Sequence, residues 1–424
     1  MAQKSIREYT GKKLLRYYIH RNWADFPAFY PAVEIDSGKL PKTLPDWKMG
    51  YFAKPDELFG KRGKLGLTYK SNDSKKVLDW IKTISTKKTV IKNSNGKTAG
   101  GKLNTFLIEP FTRHTDEFYL AFKTERTSDT VYFSGKGGVD VEENWDDVKK
   151  ISIPFSPETK VMPAEYLTEL MRGFEHTEIK LIARFIAELY RVFKMLDFTY
   201  LEVNPFTIVN GKVIMLDLVA RMDDTAAYKN EKLYAVAGGV EFPQAFGSVS
   251  SVAEQKIAAL DARSGASLKF KILNPQGRIW MLTSGGGGSV IFADTVGDLG
   301  HAGELANYGE YSGNPTTDET NFYTDTVLAE MLKSKAKNKV LIIGGGIANF
   351  TDVKETFKGV IAAIKKHSTE IRKQKVRIFV RRGGPNYQSG LKLIKDELAA
   401  LKISADVHTP DTYMTEIIKF ALNS

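Results

Sequence analysis

The chain has 424 residues, 42% of them hydrophobic and 11% aromatic, with a formal net charge of +11 and no cysteine. This length is too great for one ordinary core and predicts two or three domains, while the lack of cysteine excludes disulfides, thiolate metal sites and cysteine nucleophiles. The apolar runs are far shorter than the roughly 18 residues of a membrane span, and the N-terminal residues lack the apolar segment of a signal peptide. We therefore expect a soluble, cytoplasmic protein with no membrane partner.

The excess positive charge is carried largely by lysine clusters, at 87–102 and 333–339, which have the pattern of a solvated surface. Nucleic-acid binding would need basic residues interleaved with aromatic residues, a finger motif or a recognition helix, and the sequence has none of these. We therefore expect no nucleic-acid partner. The positive field instead favours anionic substrates.

The first 240 residues predict a mixture of helices and short strands. A strand at 51–54 runs into a loop rich in glycine and lysine, and helices follow at 75–83 and, with a broad apolar stripe, at 178–195. Further short strands are predicted from β-branched and aromatic runs at 106–110, 117–122, 131–134, 200–204 and 213–218. The last two are typical of a hairpin, because Asn210-Gly211 between them is the strongest short turn signal.

The loop after the first strand has the composition of a phosphate-binding segment. Lys54 is followed, up to Gly66, by three glycines and three more basic residues, among them Arg62 and Gly63. The loop is not a Walker loop, because it lacks the Gly-Lys-Ser/Thr ending. Glycine amides and basic side chains nevertheless suit triphosphate oxygens. The alternative is an exposed basic hairpin.

Oxygen-bearing side chains fall close to the predicted hairpin. Asn204 and Asp217 would lie on its adjacent strands, and such an oxygen pair suits Mg²⁺, which lets phosphates and water complete its octahedron. The alternative is a pair of ordinary polar residues near a turn. Earlier in the chain, the strand-end groups from Glu109 to Thr112 are placed to read an adenine edge, and Glu117 to bind ribose hydroxyls.

A passage rich in glycine and proline, 238–248, predicts a linker to a second region. From position 267 onward, strands and helices alternate. The predicted strands are 268–273, 279–283, 340–343 and 377–380, and the predicted helices between or after them are 324–332, 353–365 and 389–401. This alternation predicts a doubly wound parallel sheet with right-handed crossovers.

Two strands of this second region end in runs of glycine. One precedes Gly285–Gly288, and the other precedes Gly344–Gly346, with Asn349 and Thr351 just before the next predicted helix. Glycines let backbone amides approach an anion closely, and helix N-termini favour negative charge. The pair of turns, together with Arg381-Arg382, predicts a crevice for a compact anion at the carboxyl ends of the strands.

These blocks, in this order, resemble the ATP-citrate lyase family. The resemblance is carried by residues 54–56, 61–67, 106–111, 117–119, 201–205 and 216–217 in the first half, and by 273–280, 307–313, 343–351 and 379–388 in the second. It covers essentially the whole chain. It implies an ATP-grasp domain at 1–240, similar to the succinyl-CoA synthetase β subunit, a linker at 241–266, and a doubly wound, Rossmann- or flavodoxin-like citrate-binding domain at 267–424.

The resemblance also implies roles for individual residues. The residues implied for ATP are Lys54, Arg62, Gly63, Glu109, Pro110, Thr112 and Glu117, and those implied for Mg²⁺ are Asn204 and Asp217. The residues implied for citrate are Gly285, Gly286, Gly287, Gly313, Gly345, Gly346, Asn349, Thr351 and Arg382. A tricarboxylate needs such amides, hydroxyls and a guanidinium fork. Two positions depart from the family pattern: Gly346 replaces a serine of some members, and Gly288 a common alanine.

Part of the family's chemistry has no counterpart in this sequence. Family members phosphorylate a histidine, transfer the phosphoryl group to citrate, form citryl-CoA, and cleave it to acetyl-CoA and oxaloacetate. The CoA-binding domain, the phosphohistidine loop and the citrate-synthase-like domain are not found here. We therefore expect them, and the catalytic histidine, on a second subunit of a hetero-oligomer, which would also hold most of the CoA site.

The histidines of this chain are expected to have no catalytic role. Gly300-His301-Ala302-Gly303 superficially resembles the phosphohistidine loop of the succinyl-CoA synthetase α subunit, but it lies in the segment similar to the citrate domain, so we predict that His301 is an ordinary surface histidine. His114 and His176 have no neighbouring acid or base in a pattern that indicates a role.

Three other functions remain open at this point. The chain could be the corresponding subunit of a citryl-CoA synthetase, which leaves cleavage to another enzyme, or a ligase subunit of the succinyl-CoA synthetase β type. It could also be a non-catalytic citrate sensor, although the presence of Lys54, Asn204 and Asp217 favours a working nucleotide site.

Overall fold

The computed structural model describes residues 3–27, 31–92, 98–138, 141, 145–156, 159–248 and 250–423. The chain divides into two structural units, Met1–Val249 and Ser250–Ser424. Within the described ranges, no helix is long and apolar enough to cross a membrane.

The first unit contains five α-helices and thirteen strands in its described residues. The helices are α1 (Glu8–His20), α2 (Ser74–Ser85), α3 (Ala164–Met171), α4 (Ile179–Met195) and α5 (Ala227–Tyr234). The strands are β1 (Gln3–Ile6), β2 (Val33–Asp36), β3 (Tyr51–Pro55), β4 (Tyr69–Ser71), β5 (Lys88–Lys92), β6 (Thr98–Lys102), β7 (Thr105–Pro110), β8 (Phe118–Thr124), β9 (Ser128–Ser134), β10 (Lys149–Pro154), β11 (Phe198–Val209), β12 (Lys212–Met215) and β13 (Leu218–Asp223). The helices predicted at 75–83 and 178–195 are confirmed as α2 and α4.

Two antiparallel sheets organise this unit. The larger has the order β1-β13-β11-β8-β9-β10, with β12 paired to β11, and the smaller has the order β2-β7-β3-β4. The predicted hairpin is confirmed: β11 pairs with β12, and both Asn210 and Gly211 have positive φ, as a primed turn requires. Its second arm breaks after Met215 and continues as β13, which also pairs with β11.

The large sheet has one face on the core and one face on a cavity. On β8, Phe118, Leu120 and Phe122 join the core formed with α1 and α4, whereas Tyr119 and Lys123 line the cavity. This alternation follows from the two-residue period of a strand. The small sheet is covered in the same way by α2, and the cavity therefore lies between the two sheets.

The second unit alternates strands with helices. Its helices are α6 (Val252–Asp261), α7 (Gly286–Asp298), α8 (Thr317–Lys333), α9 (Val353–Lys373), α10 (Tyr387–Ala400) and α11 (Met414–Asn423). Its strands are β14 (Ser267–Ile272), β15 (Ile279–Ser284), β16 (Asn307–Ser312), β17 (Val340–Gly345), β18 (Arg377–Arg381) and β19 (Ala405–His408).

A four-stranded parallel sheet, β15-β17-β18-β19, forms the centre of this unit. Its two faces are both covered: Ile279 and Met281 of β15 pack with α7 and α11, and Trp280 and Leu282 pack with α8 and α9. Strands buried on both faces read as continuous apolar runs. The doubly wound parallel fold predicted from the sequence is confirmed.

One predicted member of the parallel sheet was wrong. The segment predicted at 268–273 forms β14, which pairs antiparallel with β16 in a separate two-stranded sheet. Its exposed lysines, Lys269 and Lys271, give it the pattern of a half-buried strand. The fourth parallel strand is instead β19, which is short and polar and was not predicted.

The predicted linker at 241–266 contains a helix. Ser251 and Glu254 form a capping box that starts α6, and Ile257 and Leu260 of this helix pack into the core of the second unit. A serine three residues before a glutamate is a helix-start signal that the sequence analysis overlooked. The structural division between the units falls at Val249–Ser250, before this helix.

Candidate functional sites

The cavity of the first unit holds every residue predicted to bind nucleotide or metal. Its volume is about 1250 Å³, and both sheets contribute to its wall. The predicted residues that line it are Lys54, Arg62, Gly63, Glu109, Pro110, Thr112, Glu117, Asn204 and Asp217. Concave sites of several hundred Å³ or more are typical of small-molecule and cofactor binding.

Lys54 lies on β3 and is buried within a network of acceptors. Its Nζ lies 2.7 Å from Glu8 Oε1, 2.8 Å from the Leu216 carbonyl oxygen, 3.3 Å from Asp217 Oδ1 and 3.5 Å from Glu109 Oε2. Burial alone would lower the pKa of Lys54, but Asp217, Glu8 and Glu109 outweigh it and raise the pKa above its ordinary value. Lys54 is therefore a cation at neutral pH.

Arg62 is buried beside Lys54. Its Nη1 donates to the Pro55 carbonyl oxygen at 2.9 Å, and its Nη2 donates to Glu8 Oε2 at 2.7 Å and also contacts Asp217 Oδ1. Its buried Nε has no hydrogen-bond acceptor among the described residues. The neighbouring Gly63 is exposed and has open space where a side chain would stand, so a ligand can approach the backbone there.

Asn204 and Asp217 lie opposite each other, as the hairpin predicted. The Asn204 backbone N–H donates to the Asp217 backbone carbonyl oxygen at 3.2 Å, and the side-chain Oδ1 of Asn204 accepts from the Gly138 backbone N–H at 2.8 Å. The Asp217 side chain is 37% exposed. No group of three or more histidine or acidic side chains with metal-binding geometry occurs in the described part of the chain. Two protein oxygens beside this large cavity nevertheless fit Mg²⁺, which completes its shell with water and phosphate.

Glu117 has a histidine neighbour that the sequence analysis missed. His114 Nε2 lies 2.8 Å from Glu117 Oε1, and His114 Nδ1 lies 2.9 Å from the Thr112 carbonyl oxygen. The sequence showed no acid in a pattern that indicates a role for His114. The structure nevertheless places the Glu117 carboxylate beside it, because a loop brings together two residues that show no helix or strand period. His176 comes only within 3.9 Å of Asp116.

The carboxyl edge of the parallel sheet gathers most of the predicted anion site. Ser284 and Gly345 are paired at the ends of β15 and β17, and Arg382 follows β18. Arg382 Nη2 donates to Ser284 Oγ at 2.7 Å, and Nη1 donates to the Gly346 carbonyl oxygen at 3.0 Å. The helix α7 begins at this edge, so its glycine-rich first turn, Gly285–Gly287, belongs to the same site.

Arg382 is a buried cation with no carboxylate in hydrogen-bond contact among the described residues. Burial lowers the pKa of its guanidinium. An uncompensated buried charge is unfavourable, so the site favours an anionic ligand. The adjacent Arg381 differs, because it donates to three backbone carbonyl oxygens, those of Gly345, Pro410 and Thr412, and so ties loops together.

The remaining predicted citrate residues lie on neighbouring segments. Asn349 is exposed and Thr351 is buried, both on the loop before α9, which Asp352 caps. Gly313 follows β16 and has a φ of +75°. The Glu310 carboxylate of β16 lies close to Gly286 of α7, so β16 borders the glycine-rich turn.

Two residues of α1 contact the predicted nucleotide-site residues but were not predicted. Glu8 and Lys12 lie one turn apart on this helix. Their i,i+4 spacing was the only signal in the sequence.

His301 forms a surface pair with an acidic residue. Its Nδ1 lies 2.7 Å from Glu304 Oε1.

The fold and its sites define an ATP-grasp protein joined to a doubly wound domain. Residues 2–234 match the family described as the ATP-citrate synthase ATP-grasp domain, and residues 249–424 match the ATP citrate lyase citrate-binding domain. The chain is similar to ATP-citrate synthase alpha chain protein 2 of Arabidopsis thaliana, with 41% identity over 100% of this chain and 98% of that protein. It is also similar to ATP-citrate synthase of Homo sapiens, with 40% identity over 100% of this chain but only 38% of that protein.

A solved structure agrees with these matches. The ATP citrate lyase from Methanothrix soehngenii, determined in complex with citrate and coenzyme A, is 39% identical, with a TM-score of 0.87 and coverage of 100% of both chains. The chain belongs to the ATP-citrate synthase family, also called ATP-citrate lyase, and contains its ATP-grasp and citrate-binding domains. The family predicted from the sequence is confirmed.

Proposed function

We propose that this chain is the subunit of an ATP-citrate lyase that binds MgATP in its first unit and citrate in its second. A partner subunit would supply the CoA-binding domain, the phosphohistidine and the citrate-synthase-like domain. The observation that carries the proposal is the buried Arg382, at an edge lined by glycines. Within the described part of the chain, no carboxylate is in hydrogen-bond contact with this cation. Such a site needs an anion with more than one carboxylate to use both the guanidinium and the helix amides.

The first unit has the groups that a nucleoside triphosphate needs. Lys54 and Arg62 would contact the phosphates, with the Gly63 amide close by, and the strand-end groups of Glu109, Pro110 and Thr112 would face the adenine. Glu117 would accept hydrogen bonds from the ribose hydroxyls. Asn204 and Asp217 would hold Mg²⁺, which neutralises phosphate charge when bound.

The second unit has the groups that citrate needs. The Arg382 fork can pair with one carboxylate, and the amides at the start of α7, after Gly285, can hold another. Gly345 and Gly346 bring backbone close to the ligand, while Asn349, Thr351 and Gly313 would provide the remaining contacts. Glycine is needed at position 345, because a Cβ there would overlap the Arg382 guanidinium and the Ser284 carbonyl oxygen.

A partner is supported by the relatives and by the surface. The chain matches 98% of the plant alpha chain but only 38% of the human relative. Three large apolar side chains on the loops that follow the parallel strands are strongly exposed: Ile347 (69%), Phe350 (70%) and Tyr413 (79%). Apolar surface of this kind is typical of a protein interface. We propose a cytoplasmic hetero-oligomer. In it, the partner's histidine carries the phosphoryl group to citrate, and citryl-CoA is then formed and cleaved to acetyl-CoA and oxaloacetate.

The proposal is tested by binding and turnover measured separately. Calorimetry on the purified chain should show heat for MgATP and for citrate, with succinate as the control acid that binds much more weakly. The chain alone should release no oxaloacetate from citrate, ATP and CoA, and the addition of its partner should start turnover. Absence of citrate binding, or full turnover by the chain alone, would overturn the proposal. Accumulation of citryl-CoA without oxaloacetate would instead identify a citryl-CoA synthetase.

A further inference from the structure

Glu8 is the centre of a buried ion cluster next to the nucleotide cavity. Its carboxylate lies 2.7 Å from Lys12 Nζ, 2.7 Å from Lys54 Nζ and 2.7 Å from Arg62 Nη2. The Glu8 side chain is only 2% exposed. It does not line the cavity. It reaches the nucleotide site through these cations and through the Asp217 side chain, with which it is in hydrogen-bond contact.

The position of Glu8 is set by the backbone around it. Glu8 is the first residue of α1, and Asp56 accepts hydrogen bonds from the Glu8 amide at 2.8 Å and the Tyr9 amide at 3.0 Å. One turn later, Gly11 packs so closely that a Cβ there would approach Leu218 to 2.6 Å. The helix start is thus fixed both at its amides and on its sheet-facing side.

Asp217 competes with Glu8 for the same two cations. Asp217 Oδ1 contacts both Lys54 and Arg62, yet Asp217 is also the carboxylate proposed to bind Mg²⁺. While Lys54 and Arg62 remain paired with Asp217, their positive charges repel a divalent cation. Asp217 therefore attracts Mg²⁺ only weakly in this arrangement. Binding of the metal therefore requires another anion to hold Lys54 and Arg62, and among the described residues Glu8 contacts both of them while buried.

We propose that Glu8 is a positioning residue that holds Lys54 and Arg62 so that Asp217 can exchange these ion pairs for Mg²⁺. Glu8 thereby couples metal binding to nucleotide binding. The inference rests on the proposed function, because it assumes that the cavity binds MgATP. It differs from a purely structural role, in which Glu8 would only stabilise the first unit.

The test compares three ligands on the Glu8→Gln variant by calorimetry: MgATP, ATP in the presence of EDTA, and adenosine. Without Glu8, both cations turn fully to Asp217, so MgATP affinity should fall about 10-fold. Metal-free ATP should bind at least as tightly as before, because the site has lost a negative charge. Adenosine has no phosphate and should bind unchanged.

A matched control is Asp129→Asn. Asp129 is also a buried acid of the first unit, and it accepts from Tyr190 Oη at 3.0 Å and Lys194 Nζ at 2.6 Å, but it does not line the cavity. This variant should lower the melting temperature and leave all three affinities unchanged. If Glu8→Gln does not fold, Glu8→Gln with Lys12→Met keeps the buried charge balanced and should show the same loss for MgATP.

The outcomes separate this inference from the proposed function. If the wild-type chain binds neither MgATP nor adenosine, the proposed function fails. If the wild type binds MgATP more tightly than metal-free ATP and Glu8→Gln keeps that difference, only the role of Glu8 is overturned. A parallel loss for all three ligands would show a merely structural role and would overturn it as well.

Discussion

Gly138 connects two proposed ligand-binding residues, and its replacement by alanine gives a sharp prediction. Its φ is +94°, and a Cβ at this position would overlap Glu117 Oε2. Its amide donates to Asn204 Oδ1 at 2.8 Å. Gly138→Ala should therefore strain the backbone and displace the Glu117 carboxylate from the nucleotide cavity.

The magnitude has two parts. A left-handed conformation costs a residue with a Cβ about 1–2 kcal/mol, which should appear as lost stability. A hydrogen bond to a charged group contributes about 1.5–3 kcal/mol, so loss of the Glu117 contact should weaken MgATP binding roughly 10- to 150-fold.

The control variant is Gly173→Ala. Gly173 also has a positive φ, of +69°, but no atom lies within 4 Å of the position of its Cβ. Denaturant unfolding should show a similar stability loss for both variants, and calorimetry with MgATP should show an affinity loss for Gly138→Ala alone. If Gly138→Ala binds MgATP like the wild type, or if Gly173→Ala loses as much affinity, the argument from Glu117 is refuted.

Three further predictions concern single substitutions, two of them in the proposed sites and one in the core of the second unit. Asp217→Ala should lower MgATP affinity about 10-fold, to the level of metal-free ATP, because the proposed metal ligand is lost. Calorimetry with and without EDTA checks this, and an unchanged difference in affinity between MgATP and metal-free ATP would contradict it. Arg382→Lys should weaken citrate binding about 10-fold, measured by calorimetry, since an ammonium lacks the bidentate fork. Arg381→Lys should lower stability and leave citrate affinity unchanged. Equal losses of citrate affinity in the two variants would contradict the role given to Arg382. Gly344→Ala should destabilise the second unit by about 1–3 kcal/mol, because its Cβ would overlap the Phe292 ring; an unchanged melting temperature would show that this contact can relax.

Local sequence patterns determined much of the fold. The apolar stripe of α4 and the continuous apolar runs of β15 and β17 indicated their structures because helix and strand periods are written in neighbouring residues. The Asn210-Gly211 turn likewise predicted Asn204 and Asp217 on adjacent strands, and the structure places them opposite each other. The glycine runs predicted an anion crevice at the ends of β15 and β17, but the contact of Arg382 with Gly346 is known only from the structure.

Other features depended on contacts between residues far apart in the chain. Glu8 meets Lys54 and Arg62 only when α1 packs against the sheets, and Gly138 reaches Glu117 only through a loop. Their charges, burial and approach distances have no local period that a sequence pattern can show. The residue types at the two proposed sites follow from the sequence. Their burial, and the pairing of Glu8 with Lys54 and Arg62, were decided by tertiary packing. Desolvation and ion pairing exist only once distant segments enclose the same space.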